Sequence, residues 1–352
     1  MNTKGDAPSL KEWRELYESA KDFLNLKPWA WMLDSDLFGV QNPENNEIGY
    51  CCIMGELGEI FALAVYLGQE GLDGYLRIQS REIDIDDPDT IHVQKCLMAS
   101  FEDRGDLETE DYGTIKKLGL KFRGRKAWPM FRSYLPGYVP WFLTDKEVRF
   151  LTIALKQTVH VATRLKMDKD LLTPLKENQL LVRVPNFNEK SAKWVDEWVE
   201  LPPFERWEFI ASPLDEIHLQ RIKKNLKIKQ GTWEIDFFYF PGAIQEGGRP
   251  YHPRASVIMD HASELALHQW IAPPWEFFDT FQDNILNFFE EFKILPKHIL
   301  VSKDETFKML EPITSRLNIS LEPVDILEAV EEFKWGMYDL LLGEEAIWRG
   351  EN

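Results

Sequence analysis

The sequence is short of cysteine, of cations relative to anions and of long apolar runs, and each shortage excludes something. Only Cys51, Cys52 and Cys96 occur, two of them adjacent, so neither a disulfide framework nor a zinc ribbon is available. Cys51 has no His or basic residue beside it to lower its pKa and reads as a small core residue, not a nucleophile. The longest apolar run, residues 60–67, is far too short to span a bilayer, and residues 1–9 lack the apolar core of a signal peptide. With 41 Lys and Arg against 59 Asp and Glu, a net charge of −18 works against general affinity for DNA or anionic membranes. The expectation is a cytoplasmic protein with reduced thiols and no membrane partner.

Motifs are scarce as well. The glycines of Gly55-Glu56-Leu57-Gly58 and Gly247-Gly248 belong to tight turns, since neither stretch fits a phosphate loop or a dinucleotide fingerprint. Four of the seven histidines, His252, His261, His268 and His298, fall in the second half without the spacing of paired metal ligands on one helix or strand. They are expected as surface or hydrogen-bonded side chains.

What is present describes a folded α/β (or α+β) protein. At 352 residues the chain exceeds what one core usually supports, and 13 Trp and 22 Phe are available for packing. The expected organisation is an N-terminal helix over 1–27, an α/β domain over 28–201, a linker with a connecting helix over 202–231, and a second α/β domain over 232–352. Ser9 and Glu12 form a capping-box signal, and Trp13, Leu16, Tyr17, Ala20, Phe23 and Leu24 recur at helical spacing until Pro28. Residues 32–40, 48–54 and 60–67 read as a three-stranded antiparallel meander, followed by an acidic loop at 84–89, a strand at 93–101 and a short helix at 107–118. Val148, Leu151, Leu155, Val159 and Ala162 mark a long amphipathic helix at 145–165. A hairpin at 180–185 and 194–201 closes this half, and Pro202-Pro203 marks a boundary.

Residues 116–132 form the one basic block of this acidic chain, with Lys116, Lys117, Lys121, Arg123, Arg125, Lys126 and Arg132 and no acid among them. Phe122, Trp128 and Phe131 interleave with the charges, as in grooves that track phosphates and stack bases. If nucleic acid is a partner, Lys121, Arg123, Arg125, Lys126 and Arg132 are where it binds. The competing reading is an exposed face whose cations balance acidic neighbours.

The stretch around which the second half is organised is residues 233–271, three apolar runs separated by two polar turns, with Asp236 inside the first run. Strands are expected at 234–240, 255–259 and 265–271, then a Phe-rich helix at 275–292, a strand at 298–302, a helix at 305–317, a strand at 319–324 and a helix at 326–342. Phe277, Phe278, Phe281, Phe288, Phe289 and Phe292 lie on more than one face of the first of these helices, so either both sides are buried in the domain or one packs against the first half or another subunit.

That order, with WEIDFFYF at the first strand, ASVIMDHASELALHQW across the next two and ILVSKDE after the fourth, resembles the ribonuclease H-like fold, and within it the integrase and transposase catalytic core. The whole chain also resembles a family of uncharacterised prokaryotic two-domain proteins. The fold resemblance implies metal-binding acids at Asp236 and Asp304, with a third among Glu328, Glu331 and Glu332, holding Mg²⁺ or Mn²⁺ for phosphodiester chemistry. The chain departs from that pattern after the fourth strand, where Asp304-Glu305-Thr306 replaces the family's Asn-Gly. Its acidity also opposes a nucleic-acid substrate. The first half repeats the pattern faintly, with a second candidate acidic site at Asp36, Asp103 and Glu147, so that it reads either as a divergent copy or as an unrelated domain. The leading expectation is a non-catalytic binding protein on a degenerate ribonuclease H-like scaffold, with an unnamed protein partner and no cofactor. The alternative is a metal-dependent nuclease or phosphoryl-transfer enzyme using Asp236 and Asp304.

Overall fold

The computed structural model describes residues 7–83, 88–174, 176–186, 193–201 and 214–342. Pro202-Pro203 and most of the acidic loop lie outside these residues. The chain divides into two compact units, Met1–Phe204 and Glu205–Asn352, each with its own core.

In the first unit, helix α1 (Leu10–Leu26) starts at the capping box foreseen in the sequence. The Glu12 N–H donates to Ser9 Oγ at 3.3 Å, and the Ser9 N–H donates back to Glu12 Oε2 at 2.7 Å. Leu16, Ala20 and Phe23 on its inner face are fully buried, so the helix belongs to this unit's core and is no appendage. The sheet has seven strands: β1 (Phe38–Gln41), β2 (Ile48–Met54), β3 (Ala62–Leu67), β4 (Cys96–Glu102), β5 (Trp128–Tyr134), β6 (Gln179–Asn186) and β7 (Lys193–Glu200). They lie in the order β5-β4-β3-β2-β1-β6-β7, antiparallel throughout except where β6 runs parallel to β1. Helix α4 (Asp145–Leu165) covers one face with Val148, Leu151, Ala154 and Leu155, and α3 (Thr109–Lys117) adds Ile115.

Two elements of this unit carry no clear periodic signal. Helix α2 (Gly68–Gln79) contains Gly71 and Gly74, which weaken helix propensity. Both are required by packing: a Cβ on Gly74 would collide with the Val93 carbonyl, and one on Gly71 would lie 2.6 Å from the Lys95 carbonyl oxygen. Strand β5 contains Pro129, which is tolerated because the strand is at the sheet edge.

The second unit opens with α5 (Glu216–Asn225), the expected connecting helix. It is capped by Asp215, and its Leu219 and Ile222 are buried in this unit's core. Its sheet consists of β8 (Thr232–Tyr239), β9 (Arg254–Asp260), β10 (Leu265–Ala272), β11 (His298–Val301) and β12 (Ser320–Pro323), in the order β10-β9-β8-β11-β12. The first three are antiparallel to one another, and β11 and β12 run parallel to β8. One face packs Trp233, Ile235 and Phe237 against α6 (Pro274–Phe292) and α7 (Asp304–Leu317). The other face packs Phe238, Val257 and Met259 against Leu327 and Val330 of α8 (Glu328–Leu342) and the loop before it. Of the α6 phenylalanines, Phe277, Phe281 and Phe289 are fully buried, Phe288 is buried, Phe278 meets the Phe237 ring edge-on, and Phe292 packs on Trp233 while staying exposed. No helix among the described residues is long and apolar enough to cross a membrane.

The two sheets share four strands in the same order and directions, β3-β2-β1-β6 and β10-β9-β8-β11. That correspondence corrects the acid mapping drawn from sequence. The first-unit counterpart of the fourth strand is β6, whereas Asp103 follows β4, which lies three places from β1 on the other side. Asp36 sits in the turn before β1, accepting the Leu33 N–H at 2.9 Å, instead of in a strand.

Candidate functional site

Strand β8 carries two acids with side chains on the same face, Glu234 and Asp236, opposite the face of Trp233, Ile235 and Phe237. Both are buried, at 1% and 3% exposure, and carboxylates are seldom found there without partners. Glu234 Oε1 meets His261 Nδ1 at 2.6 Å, and its Oε2 accepts the Val330 N–H at 3.1 Å, which ties β8 to the first turn of α8.

Asp236 is held by the residues that link β11 to α7. Thr306 Oγ1 donates to its Oδ1 at 3.0 Å, Ser302 Oγ to its Oδ2 at 3.4 Å, and Lys303 Nζ forms an ion pair with Oδ2 at 3.0 Å. The same ammonium donates to the Phe237 carbonyl and lies 5.1 Å from the Phe237 ring centroid. The carboxylate thus has an internal cation. Asp304 is exposed in the first turn of α7, Glu328 and Glu332 are exposed on α8, and Glu331 is half-buried. Among the described residues no group of three or more His, Cys, Asp and Glu is arranged to hold a metal ion. The residues around Asp236 do not fit the divalent ion that the fold resemblance implied, because a lysine takes the place on the carboxylate.

Beside this cluster, at the end of the sheet where β8 finishes and β9 begins, lies Arg254. Its guanidinium carbon is 4.3, 4.7 and 5.2 Å from the ring centroids of Tyr239, Phe278 and Phe237. Its Nη2 donates to Tyr239 Oη at 2.8 Å, and its Nε is buried without an acceptor. Among the described residues no carboxylate forms an ion pair with it.

The first unit places its candidates apart. Asp103 pairs with Arg125 at 3.7 Å and accepts the Lys126 N–H at 2.7 Å, while Glu147 accepts from Ser133 Oγ at 2.7 Å and closes the capping box of α4 with Thr144. Asp36, Asp103 and Glu147 are therefore turn, loop and cap residues and form no common site. The basic block is also largely absorbed by structure. Arg132 is 5% exposed and donates to Asp111 at 2.7 and 2.9 Å and to Glu108 at 3.0 Å, and Lys126 pairs with Glu102 at 3.3 Å. Burial alone would depress the Arg132 pKa, but Asp111 and Glu108 outweigh it and hold the pKa above the ordinary value. Phe131 is buried in the core, and Phe122 packs on Tyr17 and Trp128. Arg132 and Phe131 are thus withdrawn from any nucleic-acid surface; Lys121, Arg123 and Arg125 stay exposed.

The other expectations for single residues resolve simply. Burial raises all three thiols, Cys51 to about 12, so they are inert core side chains. His298 bonds Glu322 at 2.7 Å, His252 the Phe240 carbonyl at 3.2 Å, and His268 stacks on Phe288. Sequence reasoning passed over Glu234, Lys303, Thr306 and Arg254. Glu234 had a usable signal, standing two residues before Asp236 and so on the same strand face.

The architecture is mixed α/β with two mixed sheets flanked by helices, and the second sheet has the strand order of the ribonuclease H-like fold. Residues 13–183 match the profile of a domain of unknown function (DUF7309), and residues 218–338 match that of a second (DUF6930). No curated protein matches the chain. Among solved structures, the catalytic core domain of BIV integrase is similar over 34% of this chain and 72% of that chain, at 12% identity and a TM-score of 0.22.

Proposed function

We propose that this chain is a non-catalytic binding protein whose second domain uses a ribonuclease H-like sheet as a scaffold. The observation that carries this reading is the Lys303 ammonium 3.0 Å from Asp236 Oδ2. A two-metal mechanism needs that carboxylate to share divalent ions with acids from neighbouring elements. Here Lys303, Thr306 and Ser302 already satisfy it, and the cation is supplied by the chain. Large apolar side chains left exposed on this unit, Leu265 and Ile271 on β10 and Trp335 and Leu340 on α8, are the kind of surface a protein partner covers.

The test is titration calorimetry with Mg²⁺ and Mn²⁺ on the wild-type chain beside the Asp236→Asn, Asp304→Asn double variant. Equal traces without saturable binding are expected. Saturable binding in the wild type that disappears in the double variant would sink this reading, favour the metal-dependent enzyme and call for a nuclease assay.

A further inference from the structure

We propose that Arg254 is the anchor of an oxyanion-binding site, one that takes a phosphate or carboxylate group of a ligand. The inference rests on the reading of the second domain as a binding scaffold and gives that scaffold a ligand class.

The argument begins with what a half-buried guanidinium requires. It carries five N–H donors and a permanent charge, and where it leaves solvent it is normally matched by a carboxylate. Arg132 meets that expectation with Asp111 and Glu108. Arg254 does not. Its one hydrogen bond goes to a neutral phenol, Tyr239 Oη, its Nε is buried without an acceptor, and among the described residues no carboxylate pairs with it. Three rings nevertheless fix the group in position, with Tyr239 from β8 and Phe278 from α6 both within 5 Å of the guanidinium carbon. Rings beside a guanidinium satisfy its faces and leave its donors, which lie in the plane at the edge, for an acceptor.

A second cation approaches the same ring. Lys303 lies 5.1 Å from the centroid of the same Phe237 ring that Arg254 approaches at 5.2 Å. The acid closest to these cations on β8, Asp236, is already bonded to Lys303, Ser302 and Thr306. The Arg254 charge is in no ion pair with a carboxylate among the described residues, within a chain of net charge −18. Arg254 is only half-buried, so the group has access to solvent. Trp275, one turn before Phe278 on α6, is exposed and packs on Tyr251 with ring centroids 4.7 Å apart, which offers an apolar wall for the remainder of a ligand. Charge-assisted, planar donors of this kind select oxyanions over chloride, whose spherical shape cannot use the fork.

The experiment titrates the intact chain with inorganic phosphate and, separately, with acetate, at constant ionic strength balanced with chloride. Binding is read by calorimetry and by the shift in Tm. Saturable binding of at least one probe is expected, weakened tenfold or more in Arg254→Gln. Arg254→Lys keeps the charge and loses the planar fork, and it should weaken binding several-fold; it also serves if the glutamine variant does not fold. Phosphate bound in preference to acetate assigns the site to a phosphoryl group, and equal binding of both assigns it to carboxylates as well. A wild-type chain that binds neither probe, or an Arg254→Lys variant that binds like wild type, overturns the proposal. Metal titration does not read this site, so its result and this one stand or fall separately.

Discussion

The two sheets share a four-strand core but treat the arginines set against their aromatic rings in opposite ways. On the edge of the first, Arg132 lies 4.7 Å from the Phe142 ring centroid and is matched by Asp111 and Glu108. In the second, Arg254 lies among three rings without any carboxylate partner among the described residues. The acids differ in the same sense. Strand β1 has the sequence FGVQ and carries none, whereas its counterpart β8 buries both Glu234 and Asp236. The first sheet thus matches its arginine with acids, whereas the second matches Asp236 with Lys303 and leaves Arg254 without a carboxylate partner among the described residues. Ring contact does not separate a structural arginine from the one proposed to face a ligand. The match of charges does.

The largest effect that would test this contrast is at Arg132. Replacing it with Met leaves Asp111 buried and unpaired, and breaking a buried pair from one side costs about 3–5 kcal/mol. Arg254→Met strands no acid; it loses ring contacts worth about 0.5–2 kcal/mol and the hydrogen bond to Tyr239 Oη, worth about 0.5–1.5 kcal/mol. Urea unfolding of both variants, followed by probes in each unit because two domains need not unfold together, should show the first the more damaging. Equal losses would mean that Arg254 has a hidden structural partner, and the comparison would collapse.

A smaller effect is expected at Asp236. Asp236→Ala removes the acceptor of Thr306 Oγ1, whose residue is fully buried, and the ion partner of Lys303, which is partly exposed. An unsatisfied buried hydroxyl costs about 1–3 kcal/mol, and Lys303 adds little because solvent screens it. Asp236→Asn keeps an acceptor for Thr306 and should recover part of the loss. If both variants unfold at the wild-type urea midpoint, the carboxylate is not a structural group, and its retention in the core would again argue for chemistry.

The second sheet was more legible in the sequence than the first, for a physical reason. All five of its strands announce themselves by short apolar runs between polar turns, and the helices between them by apolar residues at helical spacing, so each element was expected close to its observed bounds. In the first unit the signals were broken where packing overrode propensity, at the glycines of α2 and at Pro129 of β5. Of the site, Asp236 was readable as an acid inside an apolar run, and Lys303 stood beside an expected ligand. Arg254 was not readable, because the rings around it come from β8 and α6 and nothing local to residue 254 marks their convergence.

The smallest expected effect separates the two units by pH. Hydrogen bonding from the Ser9 backbone, then from Arg149 and the Ser9 hydroxyl, lowers the Glu12 pKa from 4.5 to about 2. In the second unit, burial lowers the His268 pKa below its ordinary 6.5. A depressed carboxylate contributes stability that is present above the unfolded pKa and lost as pH falls through the folded one, so the Glu12 contribution fades between pH 4.5 and about 2. His268 is a base kept neutral by burial. Its unfolded form gains a proton first, so its cost to the fold appears as pH drops below 6.5. Glu12→Gln should flatten the acid limb for the first unit only, and His268→Gln should flatten the limb that starts near pH 6.5 for the second only. Circular dichroism melts between pH 2 and 8 on both variants would read these slopes. If either substitution altered both limbs, the two units would not be responding independently to protons, and the contrast between their charge designs would have to be drawn for the whole chain.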